Sequence, residues 1–291
     1  MNKQILTLIF TLFSASVFSQ NIIPAKPGNS KPFVIGVTEE IISKESGEKR
    51  ILNIYFPEGY KQNDTIKYPV VYLLDGSADE DFIHVVGLYQ FNNFPWINRV
   101  PKSIIVGIAN VDRKRDFTFP TTIAADIKRY PSSGKSERFI NFIEKELQPY
   151  IQNKYKTALS KTIIGQSLAG LLAAEILFKK PTLFNKYIII SPSLWWDNGS
   201  LLNLKPELLQ KNFTQQTGIY IGVGKEGLGP GDIPHVMEVD ANLFAEKIKS
   251  TAGKNVNIYF DYLPQEDHAT ITHQAVFNAL RLLFPLPGRQ Q

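Results

Sequence analysis

A serine in a turn of small residues is the strongest chemical signal in this sequence. The segment GQSLAG at 165–170 follows an apolar run at 162–164 and leads directly into an apolar helical pattern. Ser167 is therefore predicted at a strand-to-helix turn, the setting of a nucleophile elbow. Gly165 and Ala169 would let strand and helix approach closely, and the first N–H groups of the helix would face an oxyanion. A Gly-rich turn with an incidental serine is the alternative, because the bare motif is common.

A serine hydroxyl needs a general base, and His268 is the best placed of the four histidines. It follows the apolar run 256–263 and a polar turn, which puts it at the carboxyl end of a predicted strand, on the same edge as the serine. His273 falls within the next helical pattern and is the second candidate. His84 and His235 are predicted to be structural.

The acid that would orient the histidine is predicted to be Glu226. It is the first carboxylate after the apolar run 219–223, at the same predicted edge. A carboxylate there would fix the imidazole ring and stabilise the imidazolium. An exposed loop glutamate paired with Lys225 is the alternative. Asp232 is the next candidate, whereas Asp267 is too close in sequence to the histidine to be preferred.

Two backbone N–H groups are predicted to form the oxyanion hole. One is that of Leu168, directly after the serine. The other is that of Ser77, in the loop after the apolar run 70–74, where Gly76 would let the backbone turn. Asp75 is interpreted as a turn residue without a chemical role.

Aromatic and basic side chains at the same predicted edge are candidates for binding substrate. Trp195 and Trp196 could wall an acyl or aryl pocket, although at least one of them is expected to pack in the core. Arg113 could meet an anionic substrate. Structural ion pairs with Asp112 or Asp116 are the alternative role for this arginine.

The spacing of apolar residues changes along the chain, and it predicts the types of the segments that position these candidates. Runs at 33–42 and 50–56 predict an antiparallel hairpin around Ser46 and Gly47. From Tyr68 onward, short apolar runs alternate with helical segments, which is typical of a mainly parallel sheet with helices on both faces. The prediction is an α/β fold of about eight strands. Its clearest predicted helices span 136–151, 168–178, 238–250 and 270–283.

The N-terminus predicts export. Lys3 precedes an apolar run at 5–13 and small residues up to Ser19, the layout of a secretory signal peptide over 1–19. The run is shorter than the ~20 residues that span a bilayer, and no later run is long enough. We expect a periplasmic or extracellular protein without a membrane span. The rest is predicted to be a lead at 20–32, one domain at 33–285 and a tail at 286–291.

Composition excludes several other classes of protein. Hydrophobic residues make up 43% of the 291, which excludes disorder as the main state. The absence of cysteine excludes disulfides, cysteine nucleophiles and thiolate metal sites. The net charge of +5 is a mild excess spread along the chain with no basic block, which argues weakly for anionic partners and gives no support to nucleic-acid binding, so no nucleic-acid partner is expected. No metal or organic cofactor is expected.

Several strings resemble the putative esterase family of α/β-hydrolases. They include YPVVYLLDG at 68–76, VGIANVDRKRDFTFP at 106–120, IIGQSLAGLLAAEILFKKPTLFNKYIIISPSLWWD at 163–197 and VGKEG at 223–227. The likeness covers about 33–285 and is closest to the exported siderophore-esterase-like branch of a family that also contains feruloyl and acetyl-xylan esterases.

This resemblance implies an α/β-hydrolase fold and a set of site residues. It places the nucleophile on Ser167, the acid on Glu226, the base on His268 and the oxyanion donors on Ser77 and Leu168. Two positions depart from the family pattern: glutamine at 166 stands where histidine is common, and alanine at 169 where glycine is common.

Residues and resemblance together predict an exported serine carboxylic-ester hydrolase. Ser167 would form an acyl-enzyme, and water activated by His268 would release it. The implied substrates are siderophore lactones, or feruloyl and acetyl esters of polysaccharide. An acyltransferase using the same residues and a catalytically silent binding protein on a hydrolase fold are the alternatives.

Overall fold

The computed structural model describes residues 28–63, 65–210, 212–231 and 233–286. The predicted signal peptide, most of the predicted lead, Asp232 and all but the first residue of the predicted tail lie outside these described residues. The compact unit of the chain is Ile35–Gln291. Of the unit that precedes it, the described residues 28–34 have no regular secondary structure.

A single mixed sheet of eight strands is found in the described part of the chain. Its spatial order is β1-β2-β4-β3-β5-β6-β7-β8. The hairpin β1-β2 is antiparallel and joins the sheet through an antiparallel pairing of β2 with β4, whereas every other pairing is parallel. The strands are β1 (Gly36–Ser43), β2 (Glu48–Tyr55), β3 (Tyr68–Leu73), β4 (Ile104–Ile108), β5 (Thr157–Gln166), β6 (Lys186–Ile190), β7 (Thr217–Gly224) and β8 (Val256–Leu263).

Helices cover both faces of this sheet. The helices are α1 (Phe82–Asn92), α2 (Arg113–Phe117), α3 (Ala124–Arg129), α4 (Ser136–Phe142), α5 (Gln148–Lys154), α6 (Leu168–Lys179), α7 (Trp196–Asn203), α8 (Met237–Thr251) and α9 (Ile271–Leu283). The segment predicted as one helix over 136–151 is α4 and α5 joined by a π-helical turn, Ile143–Leu147.

The alternation of side chains along β3 shows why there are two cores. Val70 and Tyr72 pack in the cluster beneath α6 and α8, whereas Val71 and Leu73 pack in the cluster beneath α1 and α9. Successive residues of a strand point to opposite faces, so a strand that is apolar throughout can be buried on both. In β4 every residue is buried. The predicted α/β-hydrolase fold with its N-terminal hairpin is confirmed.

The parallel strands end at one edge of the sheet, and that edge carries the predicted chemistry. Shortly beyond the ends of β3, β5, β6, β7 and β8 come, in that order, Asp75, Ser167, Ser191, Glu226 and His268. In open α/β sheets this is the edge at which ligands bind. Within the described residues, no helix is long and apolar enough to cross a bilayer.

Candidate active site

Ser167 has the strained backbone of a nucleophile elbow. It lies between β5 and α6 with φ 62° and ψ −121°, a conformation that costs free energy for a residue with a side chain. Three backbone hydrogen bonds hold it: its N–H donates to Ile190 O at 3.0 Å, and its carbonyl accepts from Leu171 N at 2.9 Å and from Ser193 N at 3.1 Å. The turn presents the hydroxyl at the carboxyl edge of the sheet.

The small residues around the serine are required by close packing. A Cβ atom added to Gly165 would lie 2.4 Å from the carbonyl oxygen of Ala169, and one added to Gly170 would lie 2.8 Å from Ile190 O. Both distances are shorter than a carbon atom tolerates, so a side chain at either position would push the strand and the helix apart.

A chain of hydrogen bonds joins the serine, histidine and glutamate. His268 Nε2 lies 3.0 Å from Ser167 Oγ, and His268 Nδ1 lies 2.5 Å from Glu226 Oε2. These separations suit proton transfer between the serine and the imidazole. In the sequence, His268 lies 101 residues from Ser167 and 42 residues from Glu226, and the fold brings the three side chains together.

Glu226 is buried and held as a carboxylate. Its side chain is 3% exposed, against 46% for that of His268. Burial raises the pKa of Glu226, but hydrogen bonds from His268, Ser191 and the backbone N–H of Gly224 outweigh this effect, and the pKa lies below its ordinary value. The loop that carries Glu226 is anchored in turn, because the Glu238 carboxylate accepts from the N–H groups of Glu226 and Gly227.

Gln166, one of the two departures from the family pattern, has a structural partner. Its side-chain amide donates to the backbone carbonyl of His268 at 2.8 Å. The residue before Ser167 therefore ties the end of β5 to the loop that carries His268.

The proposed oxyanion donors lie on two separate elements. The N–H of Leu168 is the first of α6 and has no acceptor within the helix. Ser77 follows the turn after β3, and it is Asp75, with φ 52°, that takes the left-handed conformation there. Gly76 is needed for another reason, since a Cβ on it would lie 2.4 Å from Gly107 Cα. The roles of Ser77 and Leu168 stay predictions.

A pocket of about 380 Å³ opens beside the serine. Its lining includes Leu168, Trp195 and Arg113, which are candidates from the sequence, and also Tyr130 and Lys114, which are not. No pattern in the sequence identifies them, because they come from the segment between β4 and β5, which folds over the edge of the sheet. Two larger hollows of about 570 Å³ contain neither the serine nor the histidine.

Trp196 is a correction to the predicted pocket. Its side chain is fully buried, and its indole N–H donates to Phe119 O at 2.8 Å. Its ring packs against Tyr130 and Trp195. Trp196 therefore supports the pocket wall from behind and cannot contact a substrate, so that of the two tryptophans Trp195 is the one that lines the pocket.

Arg113 has a different partner from those expected. Its guanidinium binds both oxygens of Asp75, at 2.7 and 2.9 Å, and donates to Gln166 O at 3.2 Å. Neither Asp112 nor Asp116 is its partner. Asp75 therefore has a role that its interpretation as a turn residue missed: with Arg113 it clamps the loop after β3 to the nucleophile elbow.

The other three histidines lie outside this chain of hydrogen bonds. His235 Nδ1 lies 2.8 Å from Asp240 Oδ2. His273 on α9 pairs with His84 on α1, with 2.8 Å between Nδ1 and Nε2. In the described residues, no group of three or more His, Asp or Glu side chains is arranged to hold a metal ion.

Comparison with known proteins places this geometry in a family. A family model described as "Putative esterase" matches residues 43–258, well over half of the chain. The chain belongs to this esterase family. The resemblance that the sequence motifs predicted is thereby confirmed, and the chain is a carboxylic ester hydrolase.

Relatives of this esterase include proteins named for siderophore esters. It is 30% identical over 213 residues to the ferri-bacillibactin esterase BesA of Bacillus subtilis (strain 168), covering 68% of this chain and 73% of that protein. An IroE-like serine hydrolase from Shewanella oneidensis superposes with a TM-score of 0.76 at 33% identity, covering 86% of this chain and 80% of the other. The BES protein from Bacillus cereus gives 0.74 at 27% identity, covering 90% and 100%.

Proposed function

We propose that this esterase is an exported serine hydrolase that cleaves the ester bonds of anionic, aromatic siderophore lactones through an acyl-enzyme. The observation that carries the catalytic part is the chain Ser167–His268–Glu226, with separations of 3.0 and 2.5 Å. The names of the similar proteins support the substrate class, and the layout of residues 1–19 supports export.

In the first half of the proposed reaction the serine acquires the acyl group. As Ser167 Oγ forms a bond to the ester carbonyl carbon, its proton moves to His268 Nε2, and Glu226 stabilises the imidazolium. The N–H groups of Leu168 and Ser77 would bind the oxyanion. Attack of the serine gives a tetrahedral intermediate. Its collapse breaks the bond between the former carbonyl carbon and the alcohol oxygen, and the alcohol oxygen takes the proton from His268.

The second half restores the enzyme. A water molecule gives a proton to His268 as its oxygen bonds to the acyl carbon, and collapse releases the acid and returns the proton to Ser167 Oγ. If a substrate alcohol replaced water at this stage, the product would be a new ester. Product analysis with and without an added alcohol therefore separates hydrolysis from acyl transfer.

Substitution of the serine tests the catalytic proposal. Ser167→Ala should lower hydrolysis of a p-nitrophenyl ester and of a ferric tricatecholate lactone by a factor of 10⁴ or more, roughly the loss found for other serine triads. A fluorophosphonate should add one phosphonyl group to the wild type, with loss of fluoride, and none to Ser167→Ala. Equal rates in the two proteins, or labelling of a different residue, would contradict the mechanism.

The pocket itself favours an anionic substrate. Lys114 Nζ lies 4.7 Å from the centroid of the Tyr130 ring, and in the described part of the chain no carboxylate lies within ion-pair distance of it. The charge of Arg113 is already matched by Asp75. Lys114 is therefore the cation available to a bound anion, and Trp195 and Tyr130 supply aromatic surface.

Lys114→Ala tests whether this lysine contributes to the binding of anionic substrates and not of neutral ones. We expect KM for a ferric tricatecholate lactone to rise about fivefold, the effect of one partly exposed charge pair, with KM for a neutral feruloyl ester unchanged. Lys249→Ala, which removes an exposed lysine of α8, is the control and should change neither value. If feruloyl or acetyl polysaccharide esters were cleaved and the tricatecholate lactone were not, the proposed substrate class would be wrong.

A further inference from the structure

Ser191 is a buried serine with a strained backbone directly after β6. It is 0% exposed and has φ 41°, in the left-handed region that favours glycine. Its N–H donates to Gly222 O on the neighbouring strand at 2.7 Å. Glycine would adopt this backbone at lower cost, so the presence of a hydroxyl calls for a reason.

The hydroxyl is directed at the acid of the proposed triad. Ser191 Oγ donates to Glu226 Oε1, and the backbone N–H of Gly224 donates to the same oxygen at 3.1 Å. The other oxygen, Oε2, is then the one that faces His268 Nδ1. The two donors thus hold Oε1, while Oε2 accepts the hydrogen bond from His268.

Glu226 needs such an anchor more than an aspartate would. Its side chain has one more rotatable bond than aspartate, and it lies two residues beyond the end of β7. Lost rotamer freedom must be offset by contacts that fix the carboxylate. Gly224 holds Oε1 by one hydrogen bond from the end of β7, and the Ser191 hydroxyl adds a second donor to the same oxygen from the end of β6.

We propose that Ser191 is a positioning residue that holds the Glu226 carboxylate in the orientation in which it binds His268. The hydroxyl of Ser191 is bonded to Glu226 and to neither His268 nor Ser167, so it acts on the reaction only through the acid. The inference rests on the proposed function, and it adds one more strand end to the proposed machinery: β6 supplies the residue that orients the acid carried beyond β7.

Ser191→Gly and Ser191→Ala test the proposal through activity. Each should lower kcat roughly ten- to a hundredfold, the range for losing one hydrogen bond to a charged group, with KM unchanged. Glycine relieves the strained backbone and alanine does not, so the two variants should differ in unfolding temperature but share the same kcat. Ser103→Ala, which removes another buried hydroxyl before β4, should leave kcat unchanged.

A double-mutant cycle distinguishes positioning from a general structural role. In a Glu226→Ala background, Ser191→Gly should cause no further loss of kcat, because the residue through which it acts is gone. A loss of the same size in both backgrounds would overturn the proposal. So would a kcat that follows the unfolding temperature across the Ser191 variants.

A third readout does not depend on turnover. In the folded protein the Ser191 hydrogen bond is one of the interactions that lower the pKa of Glu226, so Ser191→Gly should move the ¹³C NMR titration of that carboxyl to higher pH, and Ser103→Ala should not. An unmoved titration overturns the inference whatever the activity. An inactive wild type with a moved titration would instead contradict the proposed function and leave the positioning contact standing.

Discussion

At the scale of single residues, the site depends on a residue without a side chain, Gly165, as much as on the reactive side chain of Ser167. Ser167 has φ 62°, and the strand before it and the helix after it pack closely on either side of this turn. Gly165 is the point of contact, and the nearest atom to any side chain there would be the backbone oxygen of Ala169, which cannot move aside without displacing α6.

Gly165→Ala should therefore disturb both stability and activity. We expect the free energy of unfolding to fall by about 1–3 kcal/mol, the usual cost of overpacking, and kcat to fall with it because Ser167 shifts. Urea denaturation and ester hydrolysis measure the two effects. Gly87→Ala on α1 is the matched control: no atom lies within 4 Å of its added Cβ, and stability should rise by about 0.5–1 kcal/mol. A Gly165→Ala protein as stable and active as the wild type would contradict this account.

At the scale of elements, the loop between β3 and α1, which carries the proposed oxyanion donor Ser77, concentrates negative charge. Asp81 precedes α1, close to Asp75 and Glu80. Burial raises the pKa of Asp81, the charges of Asp75 and Glu80 raise it further, and Arg113 opposes them, so that the pKa is about 6. In the folded protein this carboxyl therefore holds its proton to a higher pH than in the unfolded chain.

Asp81→Asn should make stability less dependent on pH. A raised pKa means that the folded state binds more protons than the unfolded state between about pH 4 and pH 6, so the wild type loses stability as pH rises through this window. The variant should be more stable than the wild type at pH 7–8, and the difference should vanish near pH 4. Thermal unfolding across this range measures it, with the exposed Asp79→Asn as control. A stability difference that does not change with pH would show that Asp81 does not titrate in this way.

At the scale of the whole molecule, a cluster of charges around the buried Arg50 joins the N-terminal hairpin to α4 and to α2, which carries part of the pocket. Arg50 on β2 is 1% exposed and binds Asp116 on α2 at 2.6 Å and Glu48 at 2.5 Å. Its guanidinium also lies over the rings of Phe139 and Phe142 on α4. Because α2 also carries Arg113, this cluster supports the clamp on the nucleophile elbow.

Arg50→Leu should be among the most destabilising single changes. Removing Arg50 leaves the buried Asp116 with Arg115 as its remaining cation, so we expect a loss of about 3 kcal/mol, the lower end of the range for breaking a buried ion pair, which urea unfolding should show. Lys49→Ala is the control next to it on the same strand: its ion pair with Glu40 is more than half exposed, and we expect a change within about 1 kcal/mol. Similar small losses for both variants would mean that the cluster does not hold the hairpin.

The types of the main elements and their order along the chain follow from local patterns. The period of the apolar residues distinguishes strands from helices, and the small residues around Ser167 identify the turn between β5 and α6. Both signals depend only on neighbours in the sequence. Local patterns also show which strand end carries each reactive group. They do not reveal the π-helical turn within the 136–151 segment, because this depends on how one helix curves over the sheet.

The sequence by itself determined the hydrolase fold, the elbow and the candidate histidine and glutamate, because parallel strands bring their carboxyl ends to one edge whatever their order. Only the tertiary structure decided which tryptophan lines the pocket, that Arg113 pairs with Asp75, and that Ser191 holds Glu226. Each of these contacts joins segments more than 30 residues apart in the chain or depends on which side of a turn faces the core. The order of strands in the sheet and the packing of the loops set those distances, and neither has a signature in local sequence.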